Sequence, residues 1–366
     1  MTPHHPLGQS VGIWGGGQLA RMLALSAHEL GLEPWILSKD ADDPAAQVSS
    51  KWIKDAGRSS VAKMLKQVSV LTFESEFHDL RGLPDATGVF RPPLAAMAEL
   101  QDRRTQKQWL VSSHIPTSPF VPVDRVSDLS NAQEQIPGKC VLKKAQGGYD
   151  GYGTFVMKNA SAWEEHRRHW QGPYIAEAFV PFVRELALIL VRSSVGEFRA
   201  FPLVESVQKN SKCDLVKGPV RHARLDVLLV KFERLMRQLD YVGALGVELF
   251  DTGQELLVNE IAPRVHNSGH YSQNYFLQSQ FHYHWKALLG EPLPEPQPTG
   301  KYFVMANLVG ESHRPMRLPP GLRGALHWYG KKENRPGRKM GHLNYVGDNL
   351  ESLLRLAHRE RKQIRK

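Results

Sequence analysis

Two acidic residues set inside apolar β-strands constrain this chain more than anything else in it. The segment GVELFDTGQELLVNEIAPRVHNSGH, from Gly246 to His270, reads as two strands, 242–250 and 255–261, joined by a short Asp-Thr-Gly turn. Glu248 and Glu260 fall within those strands, an expensive place for a carboxylate without a partner. They stand on opposite arms of one hairpin and so can face each other across the ladder. Two facing carboxylates repel unless a cation lies between them, and oxygen-only ligands suit Mg²⁺ bound together with phosphate oxygens. Arg264, His266, Asn267, Ser268 and His270 follow directly as a dense polar run. The bland alternative is a surface hairpin with one acid paired to a nearby arginine.

The chain is long enough to build around such a site. Its 366 residues suit two or three domains with their own cores. Hydrophobic residues at 41% and charged residues at 23% are ordinary for a soluble globular protein. Cys140 and Cys213, the only cysteines, imply no disulfide framework and fit a reducing cytoplasm. Apolar runs such as 186–191 are too short to span a bilayer, and the N-terminal stretch lacks the basic-then-apolar pattern of a signal peptide. The net charge of +10, concentrated at 331–339 and 355–366, favours anionic partners. Charge alone does not choose among nucleotides, phosphorylated metabolites and nucleic acid.

In chain order, 10–14 reads as a strand running into GGGQLA, then a helix, then a strand at 34–38 that ends in Asp40, Asp42 and Asp43. Gly15, Gly17 and Ala20 fit the G-x-G-x-x-A turn of a βαβ unit. That permits a dinucleotide site with Asp40 on the ribose; a tight turn opening an α/β domain explains the glycines equally well. A buried strand at 68–73 runs into Glu74 and Glu76, at the strand end where α/β sheets bind ligands. Helices follow at 92–100 and 102–111, and the character changes at Ile115-Pro116-Thr117. A strand at 139–142 ends at Lys143, and Gln146–Gly153 holds four glycines in eight residues. A strand then starts at Thr154. A strand, glycine loop and strand with a lysine at the base can fold over ATP phosphates, although this is not a Walker A loop. Further strands at 174–180 and 184–191 carry Glu177 and Glu185, acids able to meet an adenine amino group or ribose hydroxyls, or else edge charges guarding a strand. The helix at 221–239 shows an apolar stripe that belongs to the core. A helix at 279–289, a proline-rich connection and strands at 302–309, 325–328 and 341–346 complete the chain. Between the last two strands, KKENRPGRK presents Lys331, Lys332, Arg335, Arg338 and Lys339 in a Pro-Gly turn, either a solvated loop or a phosphate clamp.

Together the segments GGGQLARML, DPAAQV, QDRRTQKQWL, IPTSPF, GGYDGYG, FVPFVREL, NEIAPRVHNSGH and RPGRKMGH resemble the 5-(carboxyamino)imidazole ribonucleotide synthase family of ATP-grasp carboxylases, over roughly 11–346. The resemblance implies three parts. These are an N-terminal α/β domain with a parallel, Rossmann-like sheet (1–111), an ATP-grasp domain of α+β character (112–290) and a small β-rich C-terminal domain (300–366). It implies a cytoplasmic enzyme of purine biosynthesis, with ATP, bicarbonate and 5-aminoimidazole ribonucleotide as substrates, Mg²⁺ as cofactor, carboxyphosphate as intermediate and a homodimer as assembly. It also assigns roles. Arg103 and Lys143 go to the ATP phosphates, with the loop Gly148, Tyr149, Asp150, Gly151, Tyr152, Gly153 and Thr154 as cover. Glu177, Ala178, Phe179 and Val180 go to the adenine, Glu185 to the ribose, and Gln208 to the nucleotide side. Glu248 and Glu260 would hold Mg²⁺ with Asn259 beside them, and Arg264 would stabilise carboxyphosphate. Tyr149, Asp150, His266 and Asn267 would frame the aminoimidazole. Lys331, Arg338 and Lys339 would take its 5′-phosphate, with Gln18 and Glu76 reaching in from the first domain.

The chain departs from the family pattern at four places. Tyr152 stands where a Lys or Arg is usual, Gln208 where a histidine is common, and Val183 and Ala178 where acids are. An active, diverged carboxylase is the leading expectation. The alternatives are a related ATP-grasp ligase acting on another phosphorylated amine, and a catalytically dead nucleotide-binding protein with a regulatory role. Nucleic-acid binding fits worst, because the cations gather in one phosphate-sized turn rather than along a stripe interleaved with aromatics.

Overall fold

The computed structural model describes residues 5–84, 86, 88–148 and 151–364. Its N-terminal part is a four-stranded parallel sheet in the order Lys51–Lys54, Glu33–Ser38, Ser10–Trp14, Leu71–Phe73. Ser10–Trp14 lies inside the sheet and is apolar along its length because both faces are covered. Val11 and Ile13 pack with Leu19 and Leu23 of the helix Gln18–Glu29, whereas Trp14 packs with Val61 and Met64. The glycine turn that opens this helix holds no dinucleotide site. The Glu74 carboxyl group already accepts from Gly17 N at 2.6 Å and Leu19 N at 3.2 Å, filling the helix N-terminus with one of the chain's own side chains. Asp40, the supposed ribose ligand, accepts from Asp42 N at 2.9 Å within its own turn. The tight-turn reading of the glycines is therefore the correct one.

Two further sheets follow. A four-stranded antiparallel sheet runs Phe120–Val123, Tyr174–Ala178, Cys140–Lys144, Thr154–Met157. Opposite it lies a nine-stranded sheet whose strands include Arg184–Arg192, Val204–Lys209, Lys212–Gly218, Gly243–Asp251 and Leu256–Ala262. The C-terminal strands Tyr302–Val309, Ala325–Trp328 and Lys339–Gly347 do not form a sheet of their own. Tyr302–Val309 pairs antiparallel with Lys212–Gly218 and continues the same nine strands. The C-terminal part also carries a 15-residue helix, Leu350–Ile364, where the sequence shows only a concentration of positive charge at 355–366. Ala357 and Ile364 of this helix pack on Val304, Leu308 and Leu343, and its buried Glu360 accepts from Arg323 N, Gly324 N and Tyr345 OH. Among the described residues no helix is long and apolar enough to cross a membrane.

His284 on the helix Gln280–Leu289 ties these parts together. Its Nδ1 accepts from Ala244 N at 3.0 Å, so the proton sits on Nε2 and goes to Thr72 Oγ1 at 2.8 Å, on the N-terminal sheet. Burial pushes its pKa down to about 3. The unfolded chain protonates this imidazole near pH ~6.5 and the folded one only much lower, so its contribution is intact above that pH and is lost as pH falls toward the folded pKa. The loss is on the order of 4 kcal/mol. Urea midpoints of the wild type are expected to fall more steeply between neutral and mildly acid pH than those of His284→Gln. Parallel pH profiles of the two proteins would remove His284 from this role.

Candidate functional site

The acidic hairpin forms as its sequence suggests, but its geometry depends on an irregularity. Gly243–Asp251 and Leu256–Ala262 pair antiparallel, with Leu249 opposite Val258 and Glu248 opposite Glu260. An unbroken ladder would set Glu248 against Asn259. The register shift between Glu248 and Leu249 makes Asn259 and Glu260 together oppose one residue, the kind of bulge that re-aims side chains beside a site. Burial first, and then the charges of Glu260 and Glu185, push Glu248 up to about 7. A cation between the two acids would remove that repulsion, so the donor set fits an oxygen-seeking dication that draws its remaining ligands from phosphate or water. Gln106 fixes the edge strand from outside. Its Oε1 accepts from Ile261 N at 2.8 Å and its Nε2 donates to Ile261 O at 2.7 Å.

Cations approach these acids from the facing sheet and from one helix. Asp102 caps that helix, Arg103–Ser112, by accepting from Arg104 N. Arg103 Nη2 donates to Glu260 Oε1 at 2.7 Å and also to the carbonyl of Gly148 at 3.2 Å. One turn on, Lys107 is 1% exposed, and its Nζ lies 3.0 Å from Glu177 and bonds Thr117 and Ser118. Burial draws its pKa down to about 8 against the pull of Glu177. On the opposite sheet, Lys143 Nζ donates to Asn259 Oδ1 at 2.7 Å and pairs with Glu177 at 3.1 Å. Although burial opposes it, the Lys143 and Lys107 charges hold Glu177 at about 2. Glu177, expected at the adenine, therefore spends its carboxylate inside the protein on two lysines and Ser118 Oγ. Lys107 and Gln106 escaped the sequence reading, although 103, 106 and 107 share one helix face.

Around this centre stand the other expected nucleotide residues. Phe179 is 42% exposed and carries Lys139 Nζ at 5.2 Å from its ring; it lies with Val180 just past the strand Tyr174–Ala178. Glu185 accepts from Gln208, and burial raises its pKa. Tyr149 and Asp150 lie outside the described residues. Tyr152 sits near the end of the glycine loop, with Gly151, Gly153 and the strand Thr154–Met157 around it. Lys144 Nζ stands 5.2 Å over its ring. A cation thus reaches the Tyr152 position from the neighbouring strand.

The second cluster joins the N-terminal part to the polar run and the basic turn. Arg264 donates to Glu76 from Nε at 2.5 Å and from Nη2 at 3.1 Å, both residues being buried or nearly so. Lys331 Nζ donates to Gln18 Oε1 and, at 2.7 Å, to Lys339 O. Arg338 Nη1 donates to Glu333 O at 3.0 Å. His266 Nδ1 is 2.8 Å from Ser268 Oγ, and Nε2 is 3.6 Å from Glu248. Burial, followed by the Arg264 and Lys339 charges, pushes it down to about 3, so it is neutral. Asn267 exchanges reciprocal amide bonds with Asn307, at 3.1 and 2.8 Å, and so anchors its loop to the C-terminal strand.

Comparison with known proteins covers the same three parts. Family models match at residues 9–89 (ribonucleotide synthetase preATP-grasp domain), 108–281 (ATP-grasp domain) and 304–356 (phosphoribosylaminoimidazole carboxylase C-terminal domain). The N5-carboxyaminoimidazole ribonucleotide synthase of Synechococcus elongatus is 37% identical over 92% of this chain and 89% of its own. The Brucella melitensis protein of the same name is 36% identical over 93% and 96%. Among solved structures, an ADP complex of N5-carboxyaminoimidazole ribonucleotide synthetase superposes with a TM-score of 0.89 at 32% identity, over 98% of each chain. The Aspergillus clavatus synthase in complex with ADP and 5-aminoimidazole ribonucleotide gives 0.82 at 28% identity, over 96% of this chain and 99% of that one.

Proposed function

The chain belongs to the N5-carboxyaminoimidazole ribonucleotide synthase family, and from that premise we propose that it joins bicarbonate to the amino group of 5-aminoimidazole ribonucleotide at the expense of ATP, through carboxyphosphate. The observation that carries the reading is the convergence of Lys143, Arg103, Glu248 and Glu260 on one point, with Arg264 and the basic turn beside it. ATP lies between the two antiparallel sheets, its phosphates toward Lys143 and Arg103 and its adenine past the end of Tyr174–Ala178. Glu248 and Glu260 would hold Mg²⁺, which would supply positive charge for the phosphate oxygens. Bicarbonate attacks the γ-phosphorus and ADP leaves, with Lys143 and Arg103 on the phosphates. Arg264, kept in orientation by Glu76, presents fixed positive charge to the carboxyphosphate so formed. His266, held neutral, and Asn267 frame the aminoimidazole, whose amine takes the carboxyl group as phosphate departs with the amine's proton. Lys331, Arg338 and Lys339 hold the 5′-phosphate, and Gln18 orients Lys331.

The test is phosphate release from ATP with Mg²⁺ and bicarbonate, with and without the aminoimidazole ribonucleotide. Stimulation by the ribonucleotide is expected. ATP binding without stimulation would replace this reading with another phosphorylated amine or a dead nucleotide-binding protein; the Lys144 cation over Tyr152 speaks for activity. Arg338→Ala is expected to raise the KM for the ribonucleotide by about 10- to 100-fold, the worth of a charge-assisted phosphate contact, with the KM for ATP little changed. Equal effects on both substrates would take Arg338 out of the clamp.

A further inference from the structure

One reverse turn touches both halves of the site. Asn210 and Ser211 join the antiparallel strands Val204–Lys209 and Lys212–Gly218, and both hold left-handed φ, 51° and 58°. That is the backbone a two-residue hairpin turn requires, and one that serine adopts reluctantly. On one side Ser211 lies against the glycine loop: a methyl group on Gly151 would stand 2.6 Å from Ser211 Cβ. On the other side Lys212 Nζ donates to Gly337 O at 2.9 Å, and a methyl group on Gly337 would stand 2.4 Å from that nitrogen. Gly337 leads directly into Arg338 and Lys339. Its turn is fastened again by Gly337 N to Gly310 O at 2.8 Å and Gly310 N to Arg338 O at 2.9 Å. The same hairpin reaches Glu185 through Gln208.

We propose that this turn is a strut between the loop covering the nucleotide and the turn clamping the ribonucleotide phosphate, with Lys212 as the positioning residue that makes binding of one substrate favour the other. The inference rests on the reading above, in which those two segments meet ATP and the 5′-phosphate. Lys212 needs no contact with either ligand. With phosphate seated on Arg338 and Lys339, the Gly337 carbonyl is fixed, Lys212 is fixed by it, and Ser211 is held against Gly151. Linkage requires the converse to hold equally, since a coupling between two binding equilibria is reciprocal.

The experiment measures the Kd of a non-hydrolysable ATP analogue, with Mg²⁺, in the absence and presence of saturating aminoimidazole ribonucleotide. In the wild type the ribonucleotide is expected to tighten the analogue by about five- to a hundredfold, the usual span of such couplings. In Lys212→Met that factor is expected to fall toward one while the Kd of the analogue alone stays unchanged, and Lys212→Arg should restore it. Ser211→Gly removes the Cβ that meets Gly151 without touching the Gly337 bond, and should lower the factor also. A wild-type factor retained in Lys212→Met overturns the proposal, as does a wild type that binds both ligands with no linkage. A wild type that binds the analogue but not the ribonucleotide overturns instead the function on which the proposal rests.

Discussion

Glu260→Gln is expected to lower ribonucleotide-stimulated phosphate release at least about a thousandfold, the worth of several kcal/mol of transition-state stabilisation by a bound metal. The argument comes from the register. Glu248 and Glu260 are direct cross-strand partners, and Glu248 is pushed up to about 7 partly by the Glu260 charge. Neutralising Glu260 removes half of the anionic pair that would hold Mg²⁺. The same substitution also frees Arg103, which donates to Glu260 at 2.7 Å, and a loss of activity alone would not separate the two effects. Glu248→Gln does separate them, because it leaves the Arg103 pair intact. Both variants should lose the Mg²⁺-dependent rise in nucleotide affinity, read by equilibrium binding. Full turnover by either at saturating Mg²⁺ would remove that residue from the metal site.

Arg264→Ala is expected to reduce turnover by about 10²- to 10³-fold, as for other preorganised donors aimed at a developing anion. It should also destabilise the fold by about 3–5 kcal/mol, because Glu76 would be left buried and unpaired. The Glu76 carboxyl, in spite of its burial, is held below the usual range by Arg264. A second substitution separates structure from chemistry. Arg264→Ala combined with Glu76→Gln removes the buried charge, so most of the stability lost in Arg264→Ala should return while turnover stays low. Denaturant midpoints and phosphate release measured on the same preparations give both numbers. Recovery of turnover in the double variant would show that Arg264 serves only to neutralise Glu76.

The hairpin was legible because acids inside apolar strands stand out against everything around them. The bulge that aligns them was not, since no glycine or odd turn length announces it, and the alternatives differ by one residue of register. The glycine turn at 15–17 shows the reverse failure. Its spacing suits a dinucleotide, and only the fold reveals that Glu74, 57 residues beyond Gly17, fills the helix N-terminus. Nothing in the sequence marks Lys107, because a lysine among helical polar residues reads as solvated, yet here it is buried against Glu177. Arg264, Lys331 and Lys143 are assigned through motifs, and the resemblance also brings Gln18 and Glu76 in from the first domain, but only tertiary packing pairs Arg264 with Glu76, Lys331 with Gln18 and Lys143 with Glu177. The helix Leu350–Ile364 is hard to read from sequence because its second half is densely basic, although Leu353, Leu354, Ala357 and Ile364 recur at helical spacing against the core.

The continuity of the nine-stranded sheet also sets what can be cut away. Removing the chain beyond residue 300 would strip Tyr302–Val309 from Lys212–Gly218 and bare a row of unpaired backbone groups beside Leu215 and Val216, which are now buried. An exposed edge of that kind is a template for other chains. Truncated forms lacking the last three strands are therefore expected to aggregate through sheet extension instead of persisting as shortened monomers, and the lower boundary for a tractable fragment lies past Gly347.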